Sequence, residues 1–327
     1  MGIIRTRGRI MNKVLCIGEL LIDFICLDIN KGLTKGENFV KKAGGAPANV
    51  SAAISKLGGK AYFAGKVGND NFGMFLKETL EEAFVDTSML ILDDKSKTTL
   101  AFVSLNEDGE RDFIFNRGAD ELLTFEELGI DKLKAFKIMH FGSATALLGG
   151  PSKETYLKTM KFAYENKIFI SFDPNYRIDL WKNRLSEFIE ISKQCLKYSD
   201  FVKVSDEEIK IISEKEDIND GIKSLHSLGA KIIAVTLGDK GTIISINGES
   251  SVISSIKVKS IDSTGAGDAF VGAFLYKLSQ LDDPKEFVSN RDTIKDIILF
   301  SNKVGAITCT KLGAIASLPT LNGIQRL

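Results

Sequence analysis

From residue 135 onward, apolar runs of strand length alternate with stretches of helical period. Strands are expected at 138–141, 168–172, 201–204 and 232–237, with helices at 152–165, 185–198 and 218–228 between them. A hairpin-like pair within 241–258, a helix at 269–278 and a last helix from 293 to about 308 complete the series. Such alternation predicts an α/β fold whose mostly parallel central sheet is flanked by helices on both faces. In that architecture ligands lie beyond the carboxyl ends of the strands. Three polar stretches fall there: Asp173-Pro174-Asn175-Tyr176-Arg177, Lys203-Val204-Ser205-Asp206-Glu207-Glu208, and Thr236-Leu237-Gly238-Asp239-Lys240-Gly241.

Upstream, 13–17 reads as a strand ending at Gly18-Glu19, and 20–25 continues extended with Asp23 inside an apolar run, where a carboxylate needs a polar partner. Residues 31–42 predict a turn and an exposed strand. The loop Ala43-Gly44-Gly45-Ala46-Pro47-Ala48-Asn49 then opens a helix with Val50, Ala53, Ile54 and Leu57 at i, i+3, i+4 and i+7, stopped by Gly58-Gly59. A strand at 61–67 and a helix at 72–83 follow. The β-rich runs 98–105 and 111–115 enclose the turn Asn106-Glu107-Asp108-Gly109-Glu110. A lone hairpin is marginal in water, so these runs are expected to join the extended pieces between 20 and 42 in a small β-sheet lid, with segments at about 24–43 and 97–117. One apolar face on such a sheet predicts a homodimer through it.

The stretch Asp262-Ser263-Thr264-Gly265-Ala266-Gly267-Asp268 leads directly into the apolar helix 269–278. Unpaired N–H groups of a first helical turn attract anions, and small side chains let a phosphate approach them. Asp268 sits in that turn, where a carboxylate beside a phosphate cradle suits a base that takes a proton from a hydroxyl during phosphoryl transfer. A tight turn with an Asp cap would look the same locally.

Composition narrows the classes. Forty-three basic residues balance forty-three acidic ones without a long run of either sign, so nucleic acid and anionic membrane have no electrostatic footprint. Cys16, Cys26, Cys195 and Cys309 lack Cys-x-x-Cys spacing, which points to reduced thiols and a cytoplasmic location. His140 and His226 are too few for a histidine metal site and are expected to be structural. No apolar run reaches transmembrane length. Residues 1–12, with Arg5, Arg7 and Arg9, are expected to form a disordered leader ahead of one domain at 13–327, with Met11 a candidate native start.

Gly44-Gly45-Ala46-Pro47-Ala48-Asn49 near the start and Asp262 to Asp268 near the end resemble, in that order, the two signatures of the ribokinase-like (PfkB) carbohydrate kinases. The likeness runs from about Lys13 to Pro319. Gly18-Glu19-Leu20-Leu21-Ile22-Asp23-Phe24, Asp108-Gly109-Glu110-Arg111, Phe172 to Arg177 and Lys203 to Glu208 are most similar to the fructokinase pattern. Ala46-Pro47 stands where ribokinases usually carry Lys-Gly, which counts against ribose.

The resemblance implies an ATP-dependent kinase that converts D-fructose to fructose 6-phosphate. Asp268 is then the base, and the amides of Gly265, Ala266 and Gly267 form the anion hole, with Arg177 on the phosphate side. Asp23, Gly44, Gly45, Asn49, Arg111 and Asn175 meet the sugar, and Phe115 closes over it. Thr236, Gly238 and Gly241 pass the ATP phosphates, Lys203 adds positive charge, and Asn302 and Ala306 line the adenine side. Ser205 stands at the Asn of the family's Asn-x-x-Glu, leaving Glu208 to act on Mg2+ through water. Asp262, Thr264, Thr308, Gly313 and Ser317 resemble a monovalent cation loop, implying K+. A 2-keto-3-deoxygluconate, ribose or nucleoside kinase stays open as an alternative, as does a noncatalytic sugar-binding relative. A nicotinamide dehydrogenase does not, because no Gly-x-Gly-x-x-Gly follows the first strand.

Overall fold

The computed structural model describes residues 11–105, 111–286 and 291–325. Its strands are β1 (Lys13–Ile17), β2 (Leu21–Cys26), β3 (Phe39–Gly44), β4 (Lys60–Gly68), β5 (Asp86–Asp93), β6 (Leu100–Leu105), β7 (Arg111–Asn116), β8 (Ile138–Phe141), β9 (Phe169–Phe172), β10 (Phe201–Ser205), β11 (Ile232–Thr236), β12 (Thr242–Ile246) and β13 (Glu249–Ile253). The longer helices are α1 (Ala46–Lys56), α2 (Asn71–Glu82), α3 (Gly150–Glu165), α4 (Leu185–Leu196), α5 (Asp206–Ser213), α6 (Ile218–Ser227), α7 (Ala266–Leu278) and α8 (Arg291–Thr308).

Nine strands form one sheet in the order β13-β12-β11-β10-β9-β8-β1-β4-β5. It is parallel from β5 to β11, and β12 and β13 add an antiparallel edge. The period of two along β1 divides the core. Val14 and Cys16 face one apolar layer with Ile54 of α1, Phe270 and Phe274 of α7 and Ile298 of α8. Leu15 and Ile17 face the other with Met160 of α3, Phe188 of α4 and Ile209 of α5. The chain leaves β1 toward β4 and β5, then returns to build β8 to β11 on the other side, so the order reverses beside β1. The ends of β1, β8, β9 and β10 at this reversal are where a ligand crevice belongs.

The smaller sheet has the order β3-β2-β6-β7, antiparallel except for the β2–β6 pair. Asp23, Ala101 and Phe115 lie in one row across it, so Asp23 and Phe115 share a face. On the other face of this sheet Phe24 meets Phe72 of α2 edge-on at 5.7 Å and stacks on Phe102 at 5.1 Å. The Lys41 ammonium lies 3.6 Å from the Phe75 ring centre.

Two expectations need correction, and two elements are additions. Met11 and Asn12 belong to the folded body, because Asn12 donates its backbone N–H to Ser279 (2.9 Å) and its side-chain amide to Leu281 (2.6 Å). Residues 1–10 lie outside the described residues, as does the turn 106–110. Residues 31–42 contain a short helix, Gly32–Lys35, before β3 begins. Strand β5 and helix α5 were not anticipated. The first opens on polar Asp86-Thr87-Ser88, and the second follows a Ser205–Glu208 capping box whose spacing also matches a metal motif.

Candidate active site

Gly265 is the N-cap of helix α7, and its φ of 77° suits glycine. The first intrahelical bond is donated by Ala269 to the Gly265 carbonyl at 2.8 Å, so the Gly267 and Asp268 amides precede it. The Ala266 amide differs from expectation, since it donates to Ser263 at 3.1 Å and closes the turn. Of the three amides expected to form an anion hole, it alone has such a backbone partner among the described residues.

Asp268 is 7% exposed and accepts a hydrogen bond from Asn49 Nδ2 at 2.8 Å. Burial pushes its carboxyl up to about 6, Asp173 pushes the same way, and Asn49, Lys203 and Arg177 oppose them. The other end of the Asn49 amide, Oδ1, is buried without a hydrogen-bond partner among the described residues. A buried orphan acceptor beside the base fits a ligand hydroxyl, which would satisfy it.

Asp23 shares the Arg177 guanidinium with Asp268. Burial also pushes it up to about 6, with the Arg177 guanidinium opposing. A Cβ on Gly44 would meet the Asp23 carboxylate, so the glycine keeps that face open. Arg177 itself is exposed and is held by Asn175 Oδ1 (3.3 Å) and by the Tyr176 carbonyl (3.0 Å). Asn175 adopts φ 47° and donates Nδ2 to Gly142 at 3.2 Å. Phe115 is half-buried and stacks with Phe113, their centroids 6.1 Å apart. Arg111 starts β7, but its side chain lies outside the described residues.

The Lys203 ammonium lies 3.1 Å from the Asp173 carboxylate, with both side chains buried. Burial disfavours its charge, yet Asp173, Glu208 and Asp268 outweigh that and hold its pKa above the usual lysine range. A Cβ on Gly267 would sit 3.1 Å from Lys203 Nζ, so a buried cation lies against the first turn of α7. This charge beside unbonded amides fits a phosphoryl group. Asp173, a residue with no role expected from the sequence, is the partner that holds the cation. Its signal was a carboxylate directly after the buried run Phe169–Phe172.

Glu208 accepts from the Ser205 amide at 2.8 Å and from the Tyr176 amide at 2.8 Å, so it braces β10 against the strand-end loop before any water reaches it. Asp262 binds Thr264 Oγ1 (2.6 Å) and the Gly313 amide (2.8 Å), and these contacts overcome burial and hold its carboxyl below the usual range. They join the stretch ahead of α7 to the segment after α8. Thr308 turns its hydroxyl to Val304 and Ser317 turns its own to Ala314, so any cation there would rely on backbone carbonyls. Among the described residues no group of three or more His, Cys, Asp or Glu could hold a metal ion.

On the nucleotide side, Thr236 donates to Val204 at 3.3 Å, and Gly238 and Gly241 take φ of 61° and 98° in the turn after β11. Both donors of Asn302 are used: Nδ2 donates to Ile253 (2.9 Å) and Ser254 (3.3 Å), while Oδ1 accepts from Thr242 at 2.7 Å. It braces α8 against the sheet edge and has no free donor for a base, while Ala306 beside it is half-buried.

Residues 11–321 match the profile of the pfkB family carbohydrate kinases. The chain belongs to that family. Among its relatives it is 40% identical to fructokinase-1 of Oryza sativa subsp. japonica over 313 residues, 94% of each chain. It is 38% identical to fructokinase-2 of Solanum lycopersicum over 310 residues, covering 94% of this chain and 93% of that one. A fructokinase from Xylella fastidiosa, solved with bound ATP, superposes with TM-score 0.86 at 32% identity over 96% of this chain and 97% of that one. A Vibrio cholerae O395 fructokinase with fructose, ADP and calcium ion bound gives 0.84 at 31% identity over 97% and 98%.

Proposed function

We infer that this protein is an ATP-dependent fructokinase, transferring the γ-phosphoryl group of ATP to D-fructose to give fructose 6-phosphate. The observation that carries the reading is the buried Asp268 carboxylate in the first turn of α7, bonded to Asn49 and facing Lys203 and Arg177. Asp268 takes the proton of the attacking hydroxyl, whose oxygen then bonds to the terminal phosphorus as the bond to the ADP oxygen breaks. Asp23 and Asn49 Oδ1 accept from other sugar hydroxyls and turn the reacting one toward Asp268. Lys203, Arg177 and the Gly267 amide lie where charge grows on the phosphoryl oxygens. Glu208 would hold Mg2+ through water, and the ion would supply positive charge to the ATP phosphates. K+ would be held, chiefly by backbone carbonyls, where the stretch around Asp262 and Thr264 meets the segment from Thr308 through Gly313 to Ser317. Phe115 and the small sheet act as the lid that excludes water.

A coupled ADP-release assay over fructose, glucose, mannose, ribose and 2-keto-3-deoxygluconate tests this. Fructose is expected to give the highest kcat/KM, with turnover lost when Mg2+ is chelated. A preference for 2-keto-3-deoxygluconate or ribose would sink the fructose assignment while sparing the mechanism.

The protein is also proposed to be a homodimer through the small sheet. Ile25, Val40, Val103 and Phe113 lie on one face of it, each half-buried. Sedimentation velocity at micromolar concentration should show the dimer, and a single monomer boundary would refute it. Four cysteines without disulfide partners suit a reducing cytoplasm.

A further inference from the structure

Glu19 follows β1 and is 2% exposed, far more buried than an isolated carboxylate tolerates. Its Oε1 accepts from the Ala46 amide (3.0 Å) and the Ala144 amide (3.3 Å), and its Oε2 accepts from the Ser143 hydroxyl. Ala46 is the first residue of α1, whose N-cap, Gly45, has no side chain to offer. The Glu19 carboxylate therefore caps α1 from outside the helix, where the dipole favours negative charge. Asn49, one turn further along α1, holds Asp268.

The contact leaves little slack. A Cβ on Gly45 would lie 2.4 Å from the Glu19 carbonyl oxygen, at a φ of 117° that already favours glycine. Ser143 Oγ accepts from the Thr145 amide (3.2 Å) and the Ala146 amide (2.7 Å), so its one proton is directed to Glu19. Every polar neighbour of the carboxylate is thus a donor, and only an acceptor fits among them. We propose that Glu19 is a positioning residue for the sugar-kinase reaction: it fixes the start of α1 against the turn after β8 and so sets Asn49 beside Asp268. Burial, which pushes this carboxyl up to about 7, opposes the charged form that the three donors demand.

The proposal rests on the fructokinase reading, and the test separates the two. Glu19→Gln keeps the volume but puts an N–H pair among donors. The fructose KM is expected to rise about tenfold, the scale of one charge-assisted hydrogen bond, with the ATP KM within about twofold of wild type. Hydrogen exchange of the peptide 44–51 should accelerate by a similar factor while that of 232–246 does not. Ser143→Ala, which deletes one donor, should move the fructose KM the same way by a smaller factor, and it serves if Glu19→Gln misfolds. An unchanged fructose KM, or equal rises in both KM values, would overturn the proposal. Failure of the wild type to phosphorylate fructose would refute the functional reading instead, and the exchange measurement would still decide whether Glu19 holds the loop.

Discussion

Asp268→Asn is expected to lower kcat by about 10²–10⁴ while the fructose KM stays close to wild type. The asymmetry follows from Asn49, because the new carboxamide oxygen can still accept its 2.8 Å bond, whereas nothing remains to take the hydroxyl proton. The same change has a second, opposite effect. A buried carboxyl raised from 3.8 to about 6 binds its proton more tightly folded than unfolded, so the contribution of Asp268 to stability is fully present below pH 4 and is lost as pH rises to 6. Above that the cost is constant, up to about 3 kcal/mol for a shift of about two units. Asp268→Asn removes it, so the variant should resist denaturant better than wild type at pH 8 and equally at pH 3. Catalysis should show the matching acid limb, with wild-type kcat/KM falling below about pH 6. Asp23, also pushed to about 6, adds to that limb, so Asp23→Asn should make it shallower. Near-wild-type turnover by Asp268→Asn would remove it from the role of base.

The alternation of strands and helices was legible because each element has its own period and each connection its own turn residues. Boundaries failed where one signal had two meanings. Ser205 and Glu208 have the spacing of a metal motif and of a capping box, and the structure uses them as the box. β5 hid because it is half-buried and opens on polar residues, so neither an alternating nor a continuous apolar pattern marks it. The site was legible only in pieces. Local chemistry singled out the first turn of α7, but Asn49 and Asp268 are 219 positions apart, and no periodicity joins them. Family resemblance assigned both residues to one site, Asn49 to the sugar and Asp268 as the base, but not the hydrogen bond between them. It did not supply the Lys203–Asp173 pair, since each residue lies at the end of a different strand and a buried charge announces its need for a partner without naming it.

That pair yields the other large effect. Lys203→Met should destabilise the fold by about 3–5 kcal/mol, because Asp173 is fully buried and would be left charged without its cation. The ammonium also opposes the upward push on Asp268, so any remaining activity should have its acid limb at higher pH than wild type. Adding Asp173→Asn separates the structural part from the catalytic one. The carboxamide oxygen can keep the 3.2 Å bond from the Asn175 amide, the unpaired charge is gone, and most of the lost stability should return in a urea titration. Removing both charges also takes away one push and one pull on Asp268, so the acid limb should move back toward its wild-type position. Turnover should not recover, because the phosphoryl oxygens then lack the cation beside Gly267, a loss of about 10²-fold or more for a preorganised charge. If kcat returned together with stability, Lys203 would be a structural partner of Asp173 and nothing else. A double variant that is stable but slow would instead assign the buried cation to the phosphoryl transfer itself.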